Sequence, residues 1–356
     1  MGKRWMALVL ALMMLIGLMG DIQAAAGGDE LSSVIDDVAR YVYESAPSPQ
    51  VAAVGGEWAV IGLARSECKV EEAYFSGYCS RLEETLEQKG GVLHERKYTE
   101  YARAVLALSA LGQDARDMAG WDLTLPLADF DKVLRQGLNG PIWALIALDS
   151  ANYPMPKAAN ATTQATRQMY VDEILARQLE DGGWSLSGTE RAQPDLTAMA
   201  LQALAPYQDQ DAVALAVDKA LACMSTLQNG QGGYCDQGAA NAESCAQMVV
   251  ALAALGVEQD DPRFVKNGNC VLDALMDYYT PGQGFSHGLD SAGPSLMTSE
   301  QGLYALVAVR RFEEGKTGLY DMTDVMECQE LGPVLTDRAA RAVQAVLWCL
   351  AALQLS

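Results

Sequence analysis

Three glycine-aromatic marks punctuate the second half of this chain. They are Gln178-Leu179-Glu180-Asp181-Gly182-Gly183-Trp184, Gln228-Asn229-Gly230-Gln231-Gly232-Gly233-Tyr234 and the weaker Pro281-Gly282-Gln283-Gly284-Phe285. Each closes one apolar-periodic segment and precedes another, as in Ala198-Met199-Ala200-Leu201-Gln202-Ala203-Leu204. Glycine ends a helix because it adopts positive φ without a Cβ clash. A repeated helix, Gly-aromatic turn, helix unit buries its apolar face only by stacking on its neighbours, so it points to a closed ring of helix pairs.

Helical periodicity dominates and strand alternation is nearly absent. Six alanine-rich, apolar helices are expected near Trp58–Arg65, Tyr101–Leu111, Pro141–Leu148, Leu196–Leu204, Ser244–Leu255 and Gln301–Val309. Helices apolar nearly all round belong inside. Six of mixed polarity alternate with them near Asp29–Glu44, Val70–Gln88, Pro126–Gln136, Thr163–Leu179, Asp211–Leu227 and Pro262–Tyr279, and are expected outside. The repeat period runs from about 40 to 57 residues, in the range of helix-pair arrays.

Aligned on their alanines, the inner helices begin at Gly56, Thr99, Asn139, Asp195, Glu243 and Glu300. Thr, Asn and Asp are good N-caps, and glutamate complements the helix dipole. Six N-termini would then converge on one end of a barrel. That end would present Glu57, Trp58, Glu100, Tyr101, Asn139 and Asp195, with Thr197, Glu243, Glu300 and Gln301. Gln202 and Gln247 lie along inner helices, where each faces the cavity or satisfies a buried backbone group. The turn at Gly182 and Trp184 reads as a staple between repeats rather than as an aromatic floor for a ligand.

The ends of the chain differ from its middle. Lys3 and Arg4, the apolar run Trp5–Met19 and the small residues Ala24-Ala25-Ala26 make the pattern of a secretory leader over residues 1–26. Residues 27–325 hold the repeats. Residues 326–356 form a tail in which Ala339–Leu355 reads as one more apolar helix. Its uncharged stretch 342–356 falls short of the roughly 20 residues that span a bilayer. An exported chain with eight cysteines permits disulfides, though no Cys-x-x-Cys spacing marks a zinc or redox site. Only two histidines are present, His94 and His287, and both read as loop residues; no metal ligand and no cofactor is expected. A formal charge of −21 argues against nucleic acid or an anionic membrane as partner.

The motif Gln178-x-x-x-Gly182-x-Trp184, with its variant Gln228-x-x-x-Gly232-x-Tyr234, resembles the repeat of the terpenoid cyclase and protein prenyltransferase superfamily. The phrases from Gly55 to Arg65, Gln136 to Asp149 and Pro194 to Leu204 resemble exported bacterial prenyltransferase/squalene-oxidase-repeat proteins, which are related in shape to the helical domain of cobalamin carriers. The resemblance implies an all-α (α/α)6 toroid of six inner and six outer helices, followed here by a C-terminal helix. The small β domain that often follows the toroid in that group has no room after Val325.

The chemistry that the resemblance brings is not legible in the motifs. Squalene-type cyclases protonate through an Asp-x-Asp-Asp run; the nearest string is Asp129-Phe130-Asp131-Lys132, expected on an exposed helix turn. The zinc set of prenyltransferases and the Gly-Cys-Gly-Glu-Gln thioester motif are absent. No catalytic residue is therefore assigned. The expected role is an exported or cell-surface binding module that takes a small molecule such as a corrinoid, a glycan or a cell-surface protein at the barrel mouth. The alternative is an enzyme, terpenoid cyclase-like or polysaccharide-active, working through carboxylates in the central cavity.

Overall fold

The computed structural model describes residues 30–325 apart from 187, 189, 190 and 237. The expected leader, the C-terminal helix, Cys328 and Cys349 lie outside the described residues. The chain folds as an (α/α)6 toroid. Its inner ring is α2 (Glu57–Arg65), α4 (Thr99–Ala110), α6 (Asn139–Asp149), α8 (Pro194–Leu204), α10 (Ala242–Leu255) and α12 (Leu296–Glu313). Each packs on the next, and α12 packs on α2, which closes the ring. Ala104, Ala107, Ala147, Ala198, Ala251 and Ala305 are all fully buried between inner helices and their neighbours. Side chains this small let buried helices approach closely, which is why the apolar-all-round pattern marked them.

The outer layer is less regular than expected. Helices α1 (30–45), α3 (Glu72–Gln88), α7 (Arg167–Ala176) and α9 (Asp211–Leu227) are continuous. The segment expected as one helix over Pro126–Gln136 is instead a 3-10 turn (Leu125–Ala128), a single turn α5 (Phe130–Val133) and a second 3-10 turn. Asp129 causes the break: it is extended at φ −93°, ψ 93°, and its carboxylate accepts the Lys132 N–H as N-cap. The segment Pro262–Tyr279 likewise splits into a 3-10 turn and α11 (Val271–Met276), parted by a hairpin in which Asn267 and Gly268 both take positive φ.

The glycine-aromatic marks form one recurring turn. The N–H groups of Leu179, Asn229 and Thr280 donate to the carbonyls of Gly183, Gly233 and Gly284 at 2.8–2.9 Å. Gly182 and Gly232 hold φ of 93° and 86° at the same place in the turn, whereas in the third mark the positive φ, 72°, falls one residue earlier, at Gly282. The motif glutamines tie the turn to the adjacent outer element: Gln178 Nε2 donates to the carbonyls of Gly182 and Ala216, and Gln228 Nε2 to those of Gly232 and Phe264. Trp184, Tyr234 and Phe285 are fully buried, so they staple repeats and do not floor a ligand site.

The expected cap assignment needs correction. Asn241 caps α10 and Ser295 caps α12, each accepting an N–H three residues on. Thr99 and Asn139 are the first residues of their helices, and Asp195 and Glu243 the second; Glu300 lies farther inside α12. None of them is the N-cap of its helix: Thr99 bonds Gln136, Asp195 accepts the Leu196 N–H, Glu243 meets Thr298 and His287, and Glu300 accepts the Gly55 N–H. All six cysteines among the described residues are unbonded thiols. Cys245 stands where Thr197 and Ser299 stand in the flanking repeats, against Gly233 and in contact with the Tyr234 backbone, which gives it a packing role.

Candidate functional site at the toroid mouth

The N-terminal ends of the inner helices surround a cavity of about 600 Å³. Its first layer comes from one register position. The second residues of α2, α4, α8 and α10 are Trp58, Glu100, Asp195 and Glu243, and all four line the cavity. One helical turn deeper, Arg103, Trp143, Met199, Gln247 and Tyr304 complete the wall. Side chains three or four apart share a helix face, so the second layer follows from the first.

The aromatic part of the wall is compact. Trp58 lies 4.9 Å from Trp143 and 5.9 Å from Tyr304, ring centre to ring centre, all in tilted contacts. The amides form the polar part. Gln247 Nε2 donates to Gln301 Oε1 and to Tyr304 Oη, while its own backbone carbonyl and Oε1 accept from Gln202 Nε2. Gln136 and Thr99 exchange hydrogen bonds at the rim. Asn139 Oδ1 and Arg103 Nε have no hydrogen-bond partner among the described residues.

The three mouth carboxylates sit in different surroundings. Glu243 Oε1 accepts from the Thr298 hydroxyl at 2.6 Å, and Oε2 lies 2.8 Å from His287 Nδ1. Asp195 accepts the Leu196 N–H, and burial raises its pKa above its ordinary value, with Asp236 adding to the effect. Glu100, itself buried, faces the exposed Lys97 ammonium at a long 3.9 Å. Burial thus favours the protonated form of Asp195, while both carboxyl oxygens of Glu243 are positioned by neighbouring side chains. Among the described residues no group of three or more His, Cys, Asp or Glu side chains is arranged to hold a metal ion, and no helix is long and apolar enough to cross a membrane.

Seven of the expected site residues meet at this mouth: Trp58, Glu100, Asn139, Asp195, Glu243, Gln247 and Gln301. Five do not. Glu57 is buried behind Trp58, where it accepts from the Ala52 N–H and the Tyr78 hydroxyl. Glu300 is buried and accepts the Gly55 N–H. Tyr101 is buried against Tyr98. The Thr197 hydroxyl holds the Trp184 backbone, and Gln202 lines a cavity at the other end of the ring. Asp129, expected on an exposed turn, is a buried N-cap that also pairs with Lys132 at 2.9 Å.

Reasoning from the sequence missed Arg103, Trp143, Met199 and Tyr304. Their signal is their spacing, three or four residues after Glu100, Asn139, Asp195 and Gln301.

No family model matches this chain, and no curated protein matches its sequence. Its fold does match solved structures. One is an unsaturated glucuronyl hydrolase from Bacillus sp. GL1, described as responsible for the degradation of glycosaminoglycan. The two chains share 13% identity over 81% of this chain and 97% of that one, with a TM-score of 0.51. At that identity the likeness is one of fold, and that fold is a helical (α/α)6 toroid.

Proposed function

We propose that the toroid mouth binds a glycan, and that Asp195 and Glu243 are the carboxyl pair that hydrolyses it. The observation that carries this reading is their shared register: both are the second residue of an inner helix, on packed neighbours α8 and α10. Packed helix axes lie about 8–10 Å apart. Carboxyl groups at matching positions of such neighbours can flank a water, the arrangement in which glycosidic bonds are cleaved with inversion at a carboxyl separation of about 6.5–9.5 Å. Asp195, its proton favoured by burial, donates to the leaving oxygen; Glu243, oriented by Thr298 and His287, takes a proton from the attacking water. The exposed part of Trp58 offers a face for a sugar ring, and Arg103 and Asn139 offer unpartnered polar atoms to its hydroxyls.

The fold shared with a glycosaminoglycan-degrading enzyme supports a glycan as substrate class. The leader-like pattern over residues 1–26 supports an exported place of action, at the cell surface or beyond it. The resemblance of the repeat motif to terpenoid cyclases supports the fold alone, since the acid run of those enzymes is missing.

A second reading, an exported binding module without turnover, is favoured by the amide-rich wall of Gln136, Asn139, Gln247 and Gln301. One experiment separates the two. The purified chain is incubated with neutral and uronic-acid oligosaccharides, followed by native mass spectrometry and product chromatography. A retained oligosaccharide mass that shortens with time supports hydrolysis. Retention without products leaves a glycan-binding module, and no retained mass with any sugar overturns the glycan as ligand in both readings.

A further inference from the structure

We infer that the opposite end of the toroid holds a second, separate binding site for an uncharged, largely apolar molecule whose head group donates a hydrogen bond. A cavity of about 600 Å³ opens there among the C-terminal ends of the inner helices. That is within the range of small-molecule sites. Ile146, Ala203, Val250, Ala253, Ala308 and Leu319 supply an apolar wall.

The polar groups of this cavity decide the ligand chemistry. Its charged groups already have partners. Asp149 is engaged by Arg167 at 2.6 Å and by the Tyr207 hydroxyl at 2.7 Å. Lys316 pairs with Glu67 and Glu314, and Asp321 accepts the Thr323 N–H and hydroxyl. Two of its buried polar atoms have no partner among the described residues: Gln202 Oε1 and the Tyr320 hydroxyl. Gln202 is only 5% exposed, and its Nε2 is spent on Gln247. A buried acceptor without a donor is costly. A ligand hydroxyl satisfies both atoms, donating to Gln202 Oε1 and accepting from the Tyr320 hydroxyl, while an ionised carboxylate leaves Gln202 Oε1 without a donor and places a charge against an apolar wall.

The two cavities are separate. Between them stands a septum of Gln202 bonded to Gln247, beside Tyr320 packed at 5.8 Å on Trp143 and 6.5 Å from Trp58. A ligand in the far cavity therefore rests against the back of the groups that line the mouth. The inference does not depend on what the mouth binds.

Titration of the full chain with decan-1-ol, read by native mass spectrometry and by tryptophan fluorescence, tests it. The wild type is expected to retain the alcohol, and decanoate to bind at least tenfold more weakly. Ala254→Phe, at an exposed cavity-lining position that tolerates a larger side chain, is expected to weaken decan-1-ol at least tenfold, and Gln202→Leu about tenfold. Glu243→Gln, at the other end, is expected to leave decan-1-ol affinity unchanged. The site is overturned if the wild type retains no alcohol, if Ala254→Phe binds as the wild type does, or if decanoate binds equally well. Loss of binding in Glu243→Gln would move the site to the mouth and overturn it equally.

Discussion

Glu300, on the last inner helix, accepts the backbone N–H of Gly55 at 2.7 Å, across 245 residues of sequence. Glu57, on the first inner helix, accepts the N–H of Ala52 from the same loop. Two buried carboxyl groups thus hold the segment that leads into α2, and that segment forms part of the mouth through Ala52, Ala53 and Val54. Burial raises both pKa values, and Glu57 raises that of Glu300 further, to about 7.

Stability is expected to depend on this acid. Its folded pKa lies above its unfolded value of about 4.3, so the folded state binds the extra proton. Stability then increases as pH falls through about 7 toward 4.5, and is lost as pH rises through the same window. The effect is on the order of 3 kcal/mol at most, from about 1.4 kcal/mol per pKa unit. Glu300→Gln keeps an acceptor for Gly55 and removes the charge. Its unfolding midpoint in urea should exceed that of the wild type at pH 8 and converge with it near pH 5. Parallel pH curves for the two proteins would refute the assignment.

Gly302 illustrates a helix glycine that cannot be improved. In a free helix, replacing glycine with alanine stabilises by about 1 kcal/mol. Here a Cβ would stand 2.2 Å from the Phe285 ring, which is fully buried and has nowhere to move. Gly302→Ala is expected to destabilise by about 1–3 kcal/mol through overpacking. Thermal unfolding checks it, and a raised Tm would show that the Phe285 turn yields.

These residues also show what the sequence made legible. The inner helices were readable because burial on every side leaves no polar face to confuse the pattern. The outer segments 125–136 and 262–279 were not, because a local side-chain cap at Asp129 and an Asn267-Gly268 turn compete with helix inside otherwise helical composition. At the mouth, Trp58, Glu100, Asp195 and Glu243 were found because they share a register. Glu57, Tyr101 and Glu300 failed for the same geometric reason: one residue along an α-helix turns the side chain by about 100°, from the cavity into the wall. Thr197, two residues past Asp195, turns farther away still and meets Trp184. Gln202 keeps the right face, since seven residues are about two turns, but lies at the other end of the ring.

That rotation gives a paired prediction. Trp58→Ala should weaken oligosaccharide binding at the mouth about tenfold or more, because it removes a half-buried aromatic surface that lines the cavity. Tyr101→Ala should leave affinity for the folded protein nearly unchanged and lower its stability by about 3–5 kcal/mol, as for other large buried aromatics. Titration calorimetry beside chemical denaturation reads both effects. Equal affinity losses in the two variants would mean that Tyr101 reaches the ligand after all.

The last prediction concerns Asp195 and the direction of its pKa. Burial raises it, so the acid form persists to higher pH than in an exposed aspartate. If Asp195 is the proton donor, turnover of a cleaved oligosaccharide is lost as pH rises through that raised value. Asp195→Asn then removes the donor and lowers kcat by about 10²–10⁴, the usual worth of a positioned acid. A substrate whose leaving group needs no protonation, such as an aryl glycoside with an acidic phenol, should be spared most of that loss. The same substrate should not rescue Glu243→Gln, because water still has to be activated. Equal losses in both variants on the activated substrate would reverse or cancel the assigned roles, whereas selective rescue of Asp195→Asn would fix the acid on α8 and the base on α10.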